Sequence, residues 1–321
     1  MSTPLVSIVL PTYNGERFLR QQLDSIFAQT CQDFEIIVAD DVSTDATVEI
    51  LSSYDNRSNF HYAINSQNIG FIRNFSQAAK RARGKYIAPC DQDDVWLPDK
   101  LQSLLDQANE HLLVYSNSEL VDELNRPLGK SLQDSLKINF VSGSNYRAFY
   151  FGNCVAAHTM LFRRELLDYI DTLPQSVYHD HWLAFIASRL GSIHAVDKKL
   201  VLYRRHDNSV TTTIKKKKFT GNVISYLRAK ADRQSQRNQS KLRKLKDFRS
   251  FNQMINKPDA ELDVLIHELE SFDDYFFNKK IFTLLNKGRD EYFAISRKGK
   301  AGLIMEECWG RRFYQYIPVT L

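Results

Sequence analysis

Residues 90–96 read Cys90-Asp91-Gln92-Asp93-Asp94-Val95-Trp96, so three carboxylates fall within four positions, directly after the run Lys85-Tyr86-Ile87-Ala88-Pro89. Several anionic oxygens aimed at one spot repel each other unless a cation or solvent neutralises them. Hard divalent ions such as Mg²⁺ or Mn²⁺ take oxygen ligands of this kind, and phosphates commonly complete their shell. A second carboxylate nearby can act as a base. The same residue types also suit a solvated acidic turn capping a helix after Trp96, because Asp is a favoured N-cap. On the motif alone both readings stand.

The elements that must position this cluster alternate between strand and helix signals. Residues 5–10 form an apolar, strand-length run, Pro11-Thr12-Tyr13-Asn14-Gly15 a loop, and Phe18, Leu19, Leu23, Ile26 and Phe27 recur at helical spacing. Residues 34–39 make a second strand ending in Asp40-Asp41, and Ser43-Thr44-Asp45 offers caps to a helix bearing Val48, Leu51 and Tyr54. Residues 60–64 read as a short strand, and Asn68-Ile69-Gly70 turns into a helix over 71–83 that Gly84 ends. This alternation predicts an α/β domain, a Rossmann-like mostly parallel sheet with flanking helices. Ligands of such sheets bind beyond the carboxyl ends of the strands, so loops 11–16, 40–45 and 91–94 are expected to meet at one edge as a nucleotide-type site. Farther on, 112–116 and 200–204 read as strands and 182–189 as a helix, and beyond about 214 the pattern is helical.

At 321 residues, 43% hydrophobic and 25% charged, the chain is expected to be a globular protein with a sizeable core. The cysteines at 31, 90, 154 and 308 include no Cys-x-x-Cys pair, which argues against a zinc site or a disulfide framework and for a reducing, cytoplasmic setting. The first residues lack the basic start of a signal peptide, and no apolar run is long enough for a transmembrane helix.

Five blocks in order carry a resemblance. Residues 6–15, then Val38-Ala39-Asp40-Asp41 with Ser43, Thr44 and Asp45, then Asn68-Ile69-Gly70, then 84–88, then Asp91-Gln92-Asp93-Asp94 resemble family 2 inverting glycosyltransferases, over roughly residues 4–210. The later His179-Asp180-His181-Trp182 and Tyr203-Arg204-Arg205-His206 are most similar to the rhamnosyltransferase-like branch, which builds bacterial O-antigen, capsule and cell-wall polysaccharide. Ala157 departs from the Gly expected in many relatives, on the acceptor side. The resemblance implies a GT-A fold, a divalent metal cofactor (Mn or Mg), a dTDP- or UDP-linked sugar donor and a saccharide acceptor. It implies that Asp93 and His206 hold metal, and that Pro11, Tyr13, Glu16, Asp40, Asn68, Asp91 and Gln92 bind the nucleotide sugar. Asp180 is then the catalytic base, with His179, His181, Trp182 and Arg205 on the acceptor side. L-rhamnose from dTDP-rhamnose is the expected donor sugar. The alternatives are a UDP-hexose or UDP-N-acetylhexosamine transferase acting on a lipid-linked oligosaccharide, or a non-catalytic nucleotide- or sugar-binding relative. Each role has a plain structural counterpart: Asp180 as a helix cap, Trp182 in the core, Arg204 and Arg205 in salt bridges.

The boundary falls at 213, with a GT-A catalytic domain over 1–213 and a basic helical region over 214–321. Residues 214–251 hold thirteen Lys or Arg against two Asp, a net of +11 in a chain whose total is +5. The run Lys215-Lys216-Lys217-Lys218, followed by Val223, Ile224, Tyr226 and Leu227 and then Leu242, Leu245, Phe248 and Phe251, suits docking on an anionic inner-membrane surface. Such docking suits an acceptor carried on polyprenyl diphosphate. The other reading is a solvated helix packing its apolar side on protein. No motif supports nucleic-acid binding.

Overall fold

The computed structural model describes residues 3–206, 223–272, 274–275 and 277–308, with side chains from 233 onward in the helix that begins at 223. The chain divides into two compact units. The first comprises 1–146, 153–173 and 178–213, and the second 147–152, 174–177 and 214–321.

The first unit alternates as β1 (Val6–Thr12), α1 (Leu19–Phe27), β2 (Phe34–Asp40), α2 (Thr47–Ser52), β3 (Phe60–Ile64), α3 (Phe71–Ala79) and β4 (Tyr86–Pro89). It continues through β5 (Val95–Trp96), α4 (Lys100–Leu105), β6 (Leu113–Val121), β7 (Pro127–Ser131), α5 (Leu132–Leu136), β8 (Met160–Arg163), α6 (His179–Leu190) and β9 (Ile193–Arg204). One mixed sheet runs β3-β2-β1-β4-β8-β6-β9-β5, with β7 beside β6. β1, β2, β3 and β4 pair in parallel, as do β6 and β9. β8 runs antiparallel between β4 and β6. Most of the register is thus parallel, as expected, and the sheet turns mixed where β8 enters.

The central strands are buried nearly end to end, as a parallel sheet covered on both faces requires. α1 buries Leu19, Leu23 and Ile26, spaced four and three apart, on one stripe against that sheet. Full burial of a side chain such as Leu23 contributes roughly 1.5–3 kcal/mol. Opposite the ligand edge, Ser7 Oγ donates to Glu35 at 2.6 Å, and the Arg83 guanidinium donates to the same carboxylate through Nε at 2.9 Å. Burial alone raises the Glu35 carboxyl, but Ser7 and Arg83 outweigh it and hold it below its ordinary value. The same contacts shorten α3. The Arg83 amide is taken by Ser7 and Glu35, so the helix expected to reach 83 stops at Ala79. Gly84 is required here, since a Cβ would sit 2.5 Å from the Ser7 amide nitrogen.

Two strands are longer than their apolar runs. β6 extends to Val121 and β9 starts at Ile193, because the two pair in parallel through polar stretches that carry no strand pattern of their own. The Asp cluster caps no helix. β5 follows it directly, and α4 starts only at Lys100.

The second unit carries α7 (Val223–Met254), α8 (Ala260–Glu270), α9 (Lys279–Lys287), α10 (Arg289–Tyr292) and α11 (Lys300–Cys308). Asp259 caps α8, and its carboxylate also accepts from Tyr150 at 2.9 Å and from Arg147. Leu245, Phe248 and Phe251 are buried, Phe248 against the Tyr150 ring at 5.5 Å, so this stretch of α7 packs on protein. The Lys215–Lys218 run and the side chains of Val223, Ile224, Tyr226 and Leu227 lie outside the described residues. Among the described residues no helix is long and apolar enough to cross a membrane.

Candidate active site

The first wall is built by two loops that leave β1 and β2. Asp40, fully buried at the end of β2, accepts from Thr12 Oγ1 at 2.8 Å, Ser43 Oγ at 2.6 Å and the Ser43 amide at 2.8 Å. These bonds fix the turn in which Val42 takes a left-handed φ of 65°. Two bonds tie the loops together: the Glu16 amide donates to Asp45 Oδ2 at 3.1 Å, and Glu16 Oε2 accepts from the Ala46 amide at 2.9 Å. Pro11 is half-buried at the top of β1, and Tyr13 is 49% exposed with its ring free to meet a ligand. Asp41, buried beside Asp40, accepts from the Ile69 and Gly70 amides at 2.9 and 2.8 Å, while Asn68 donates to its carbonyl. Asn68 therefore borders the same loop cluster.

Gln92 joins this wall to the Asp cluster. Its Oε1 accepts from the Tyr13 amide at 2.9 Å and its Nε2 donates to the Tyr13 carbonyl at 3.0 Å. The side chain lies over Gly15, where a Cβ would come within 2.5 Å of Gln92 Oε1. Gln92, which the resemblance assigns to the nucleotide sugar, thereby links two loops through the bonds of its amide to the Tyr13 backbone.

The carboxylates of the cluster divide into two groups. Asp93 Oδ2 lies 2.8 Å from Nε2 of His206, whose ring rests on Phe18 at 5.2 Å. This brings together the two residues expected to hold metal, 113 positions apart in sequence. Asp91, Asp94 and His158 form the second group, with one ligand atom from each within 4.8 Å of the others. His158 Nδ1 is 3.5 Å from Asp91 Oδ2 and 3.9 Å from Asp94 Oδ2, and its Nε2 is 2.8 Å from Ser118 Oγ. The ring is buried and stacks on Tyr203 at 4.5 Å. Asp94 is fully buried, accepts the Arg204 amide at 3.1 Å on Oδ1 and has no hydrogen-bond partner on Oδ2 among the described residues. Desolvation, followed by the Asp93 and Asp91 charges, raises its carboxyl well above the usual range. Asp91 moves the other way, because His158 more than offsets its desolvation.

His158 is not among the site residues expected from the sequence, although it stands out there as a histidine interrupting the apolar stretch 149–162. Lys100 was also missed. It is fully buried, has no hydrogen-bond partner on Nζ among the described residues and lies 3.0 Å from the centre of the Trp96 ring. Trp96 itself is buried in the hydrophobic core.

α6 supplies the remaining candidates from its first turn. Asp180 is half-buried, and Oδ1 accepts from the His181 amide at 2.6 Å. Desolvation, with the Asp91 charge as a further contribution, pushes its carboxyl up to about 7. Tyr178, not Asp180, is the N-cap of the helix. His179 stacks on Phe75 at 4.2 Å, and burial lowers it to about 4, which keeps the ring neutral at pH 7. His181 is buried, and Trp182 is buried with its Nε1 donating to Thr172 at 3.1 Å. Arg205 is half-buried, its amide donating to the Val121 carbonyl at 2.9 Å and its guanidinium 5.7 Å from the centre of the Tyr203 ring. Of these four acceptor-side candidates, Trp182 is held in the packed face of α6.

The model of the glycosyl transferase family 2 matches residues 7–170. An uncharacterized glycosyltransferase of Rickettsia typhi is 28% identical over 219 residues, covering 66% of this chain and 67% of that protein. A second, from Rickettsia prowazekii, is 29% identical over the same extent. Among solved structures, S. aureus TarS 1–349 in complex with UDP-GlcNAc superposes with a TM-score of 0.53 at 20% identity, over 89% of this chain and 81% of that one. The TarS likeness establishes the GT-A type of fold, and the family match extends over half of the sequence: the chain belongs to glycosyl transferase family 2.

Proposed function

We propose that the protein is an inverting, metal-dependent glycosyltransferase that moves L-rhamnose from dTDP-rhamnose to a saccharide acceptor in bacterial polysaccharide synthesis. The observation that carries the reading is the gathering of Asp91, Asp93, Asp94, His158 and His206 at the ligand edge of the sheet. Oxygen and imidazole donors suit Mg²⁺ or Mn²⁺, and the orphaned Asp94 Oδ2 marks negative charge in need of a partner. Asp93 with His206, and Asp91, Asp94 and His158 beside them, would hold the ion. When bound, it supplies positive charge that stabilises the leaving diphosphate.

The rest of the reaction follows from the chain's own groups. The loops of Pro11, Tyr13, Glu16, Asp40 and Asn68 hold the pyrimidine nucleotide. Asp180 takes the proton of the acceptor hydroxyl. The hydroxyl oxygen bonds to the anomeric carbon from the face opposite the diphosphate, the old C–O bond breaks, and configuration inverts. A carboxyl near neutrality is a stronger base than an ordinary aspartate and is ionised in the upper half of the physiological range.

Calorimetric titration with dTDP-rhamnose, UDP-GlcNAc and UDP-glucose, with Mn²⁺ and then with EDTA, tests the reading. It expects tightest binding of dTDP-rhamnose and weakening by EDTA. Tighter binding of a UDP-sugar overturns the rhamnose assignment, and binding of none of the three overturns the enzyme reading.

A further inference from the structure

We infer that Arg204 is a positioning residue for the metal-holding loop, fixing the Asp93 backbone against α1 and the 122–124 turn so that Asp93 meets the cation preorganised. This rests on the metal reading given under Proposed function.

Arg204 ends β9 and is 1% exposed. Its Nε donates to the Asp93 carbonyl at 2.8 Å, Nη1 to the Glu123 carbonyl at 3.0 Å and Nη2 to Gln21 Oε1 at 2.8 Å. The guanidinium lies 4.3 Å from the centre of the Phe18 ring, the same ring that supports His206. Its own amide holds Asp94 Oδ1. One side chain thus bonds three separate segments, and the residue also anchors both acids at the end of the cluster.

A surface salt bridge, the plain counterpart for Arg204, does not match this placement. A guanidinium is a rigid fork whose donors reach several acceptors at fixed angles, whereas a lysine offers a single point of charge. Its permanent charge also sits beside two carboxylates and offsets part of their mutual repulsion before any cation arrives. Groups that orient a metal ligand typically change metal affinity by 10- to 100-fold when removed.

The test is Mn²⁺ affinity by electron paramagnetic resonance on the full chain, for wild type, Arg204→Lys and Gln21→Leu. Gln21 is exposed, so its replacement keeps the experiment informative where the buried variant folds poorly. Arg204→Lys is expected to weaken Mn²⁺ roughly 10-fold and Gln21→Leu about 3-fold. UDP affinity in EDTA and the circular dichroism spectrum stay unchanged in Gln21→Leu. Wild-type Mn²⁺ affinity in both variants overturns the inference, as does a loss in Arg204→Lys that accompanies unfolding while Gln21→Leu matches wild type. No Mn²⁺ binding by wild type overturns the metal reading itself, and the inference with it.

Discussion

Replacing Asp180 by Asn is predicted to stabilise the protein while removing transfer. The carboxyl is raised from 3.8 to about 7, chiefly by desolvation. At about 1.36 kcal/mol per unit, this corresponds to an upper bound of about 4 kcal/mol against the ionised form, and solvent at the half-buried tip reduces it to about 2 kcal/mol. The folded state holds this proton more tightly than the unfolded chain does. The penalty is therefore absent below pH 3.8, grows between the two values and is full above about pH 7. Urea denaturation of the metal-free wild type and Asp180→Asn at pH 5 and pH 8 measures it. Asp180→Asn is expected to be more stable by about 2 kcal/mol at pH 8 and by less than half of that at pH 5. Transfer at pH 8 should fall about 10²- to 10⁴-fold, the usual contribution of a general base, with nucleotide affinity nearly unchanged. Equal stability differences at both pH values, or a variant less stable at pH 8, refutes the electrostatic account of this residue. Lost nucleotide binding gives Asp180 another role.

Three further perturbations follow from the same structure. Lys100 is pushed down to about 7 by burial, so its charged form is penalised below that value and the penalty fades as pH rises toward 10.5; Lys100→Met should be more stable by about 2–5 kcal/mol at pH 6.5, converging on wild type by pH 10 in parallel urea titrations. Gly15→Ala places a methyl against the Gln92 amide and should release it from Tyr13, weakening nucleotide-sugar KM about 10-fold with the thermal midpoint nearly unchanged. Glu35 is held below its ordinary pKa, which gives stability that is present above its unfolded value and lost as pH falls through the folded one. Arg83→Ala removes part of it, costing about 1–2 kcal/mol at pH 7 and less by pH 3.5 on acid titration.

The parts of the fold that can be read from sequence are those whose burial is local. β1 and β2 are covered on both faces, so most of their residues are apolar, and α1 shows its stripe plainly. β6 and β9 show only their apolar ends, because polar stretches such as Ser116-Asn117-Ser118 become strand through pairing with a partner some 80 positions away. The site follows the same division. Asp40 and the Asp91–Asp94 cluster stand at strand ends and are visible as such. The Asp93–His206 contact needed the resemblance, since no local pattern joins positions 113 apart. His158 reaches Asp91 and Asp94 only because β8 is inserted between β4 and β6. That Gln92 links two loops was not legible, because its partner is backbone and backbone leaves no side-chain signature.

The most direct test of the central claim is a ¹H NMR time course of purified protein with dTDP-rhamnose, a saccharide acceptor and Mg²⁺, following the anomeric proton of the transferred sugar. The account predicts a product of inverted anomeric configuration that forms with wild type, stops with EDTA and does not form with Asp180→Asn. A product that retains the donor's configuration, or transfer at wild-type rate by Asp180→Asn, contradicts it.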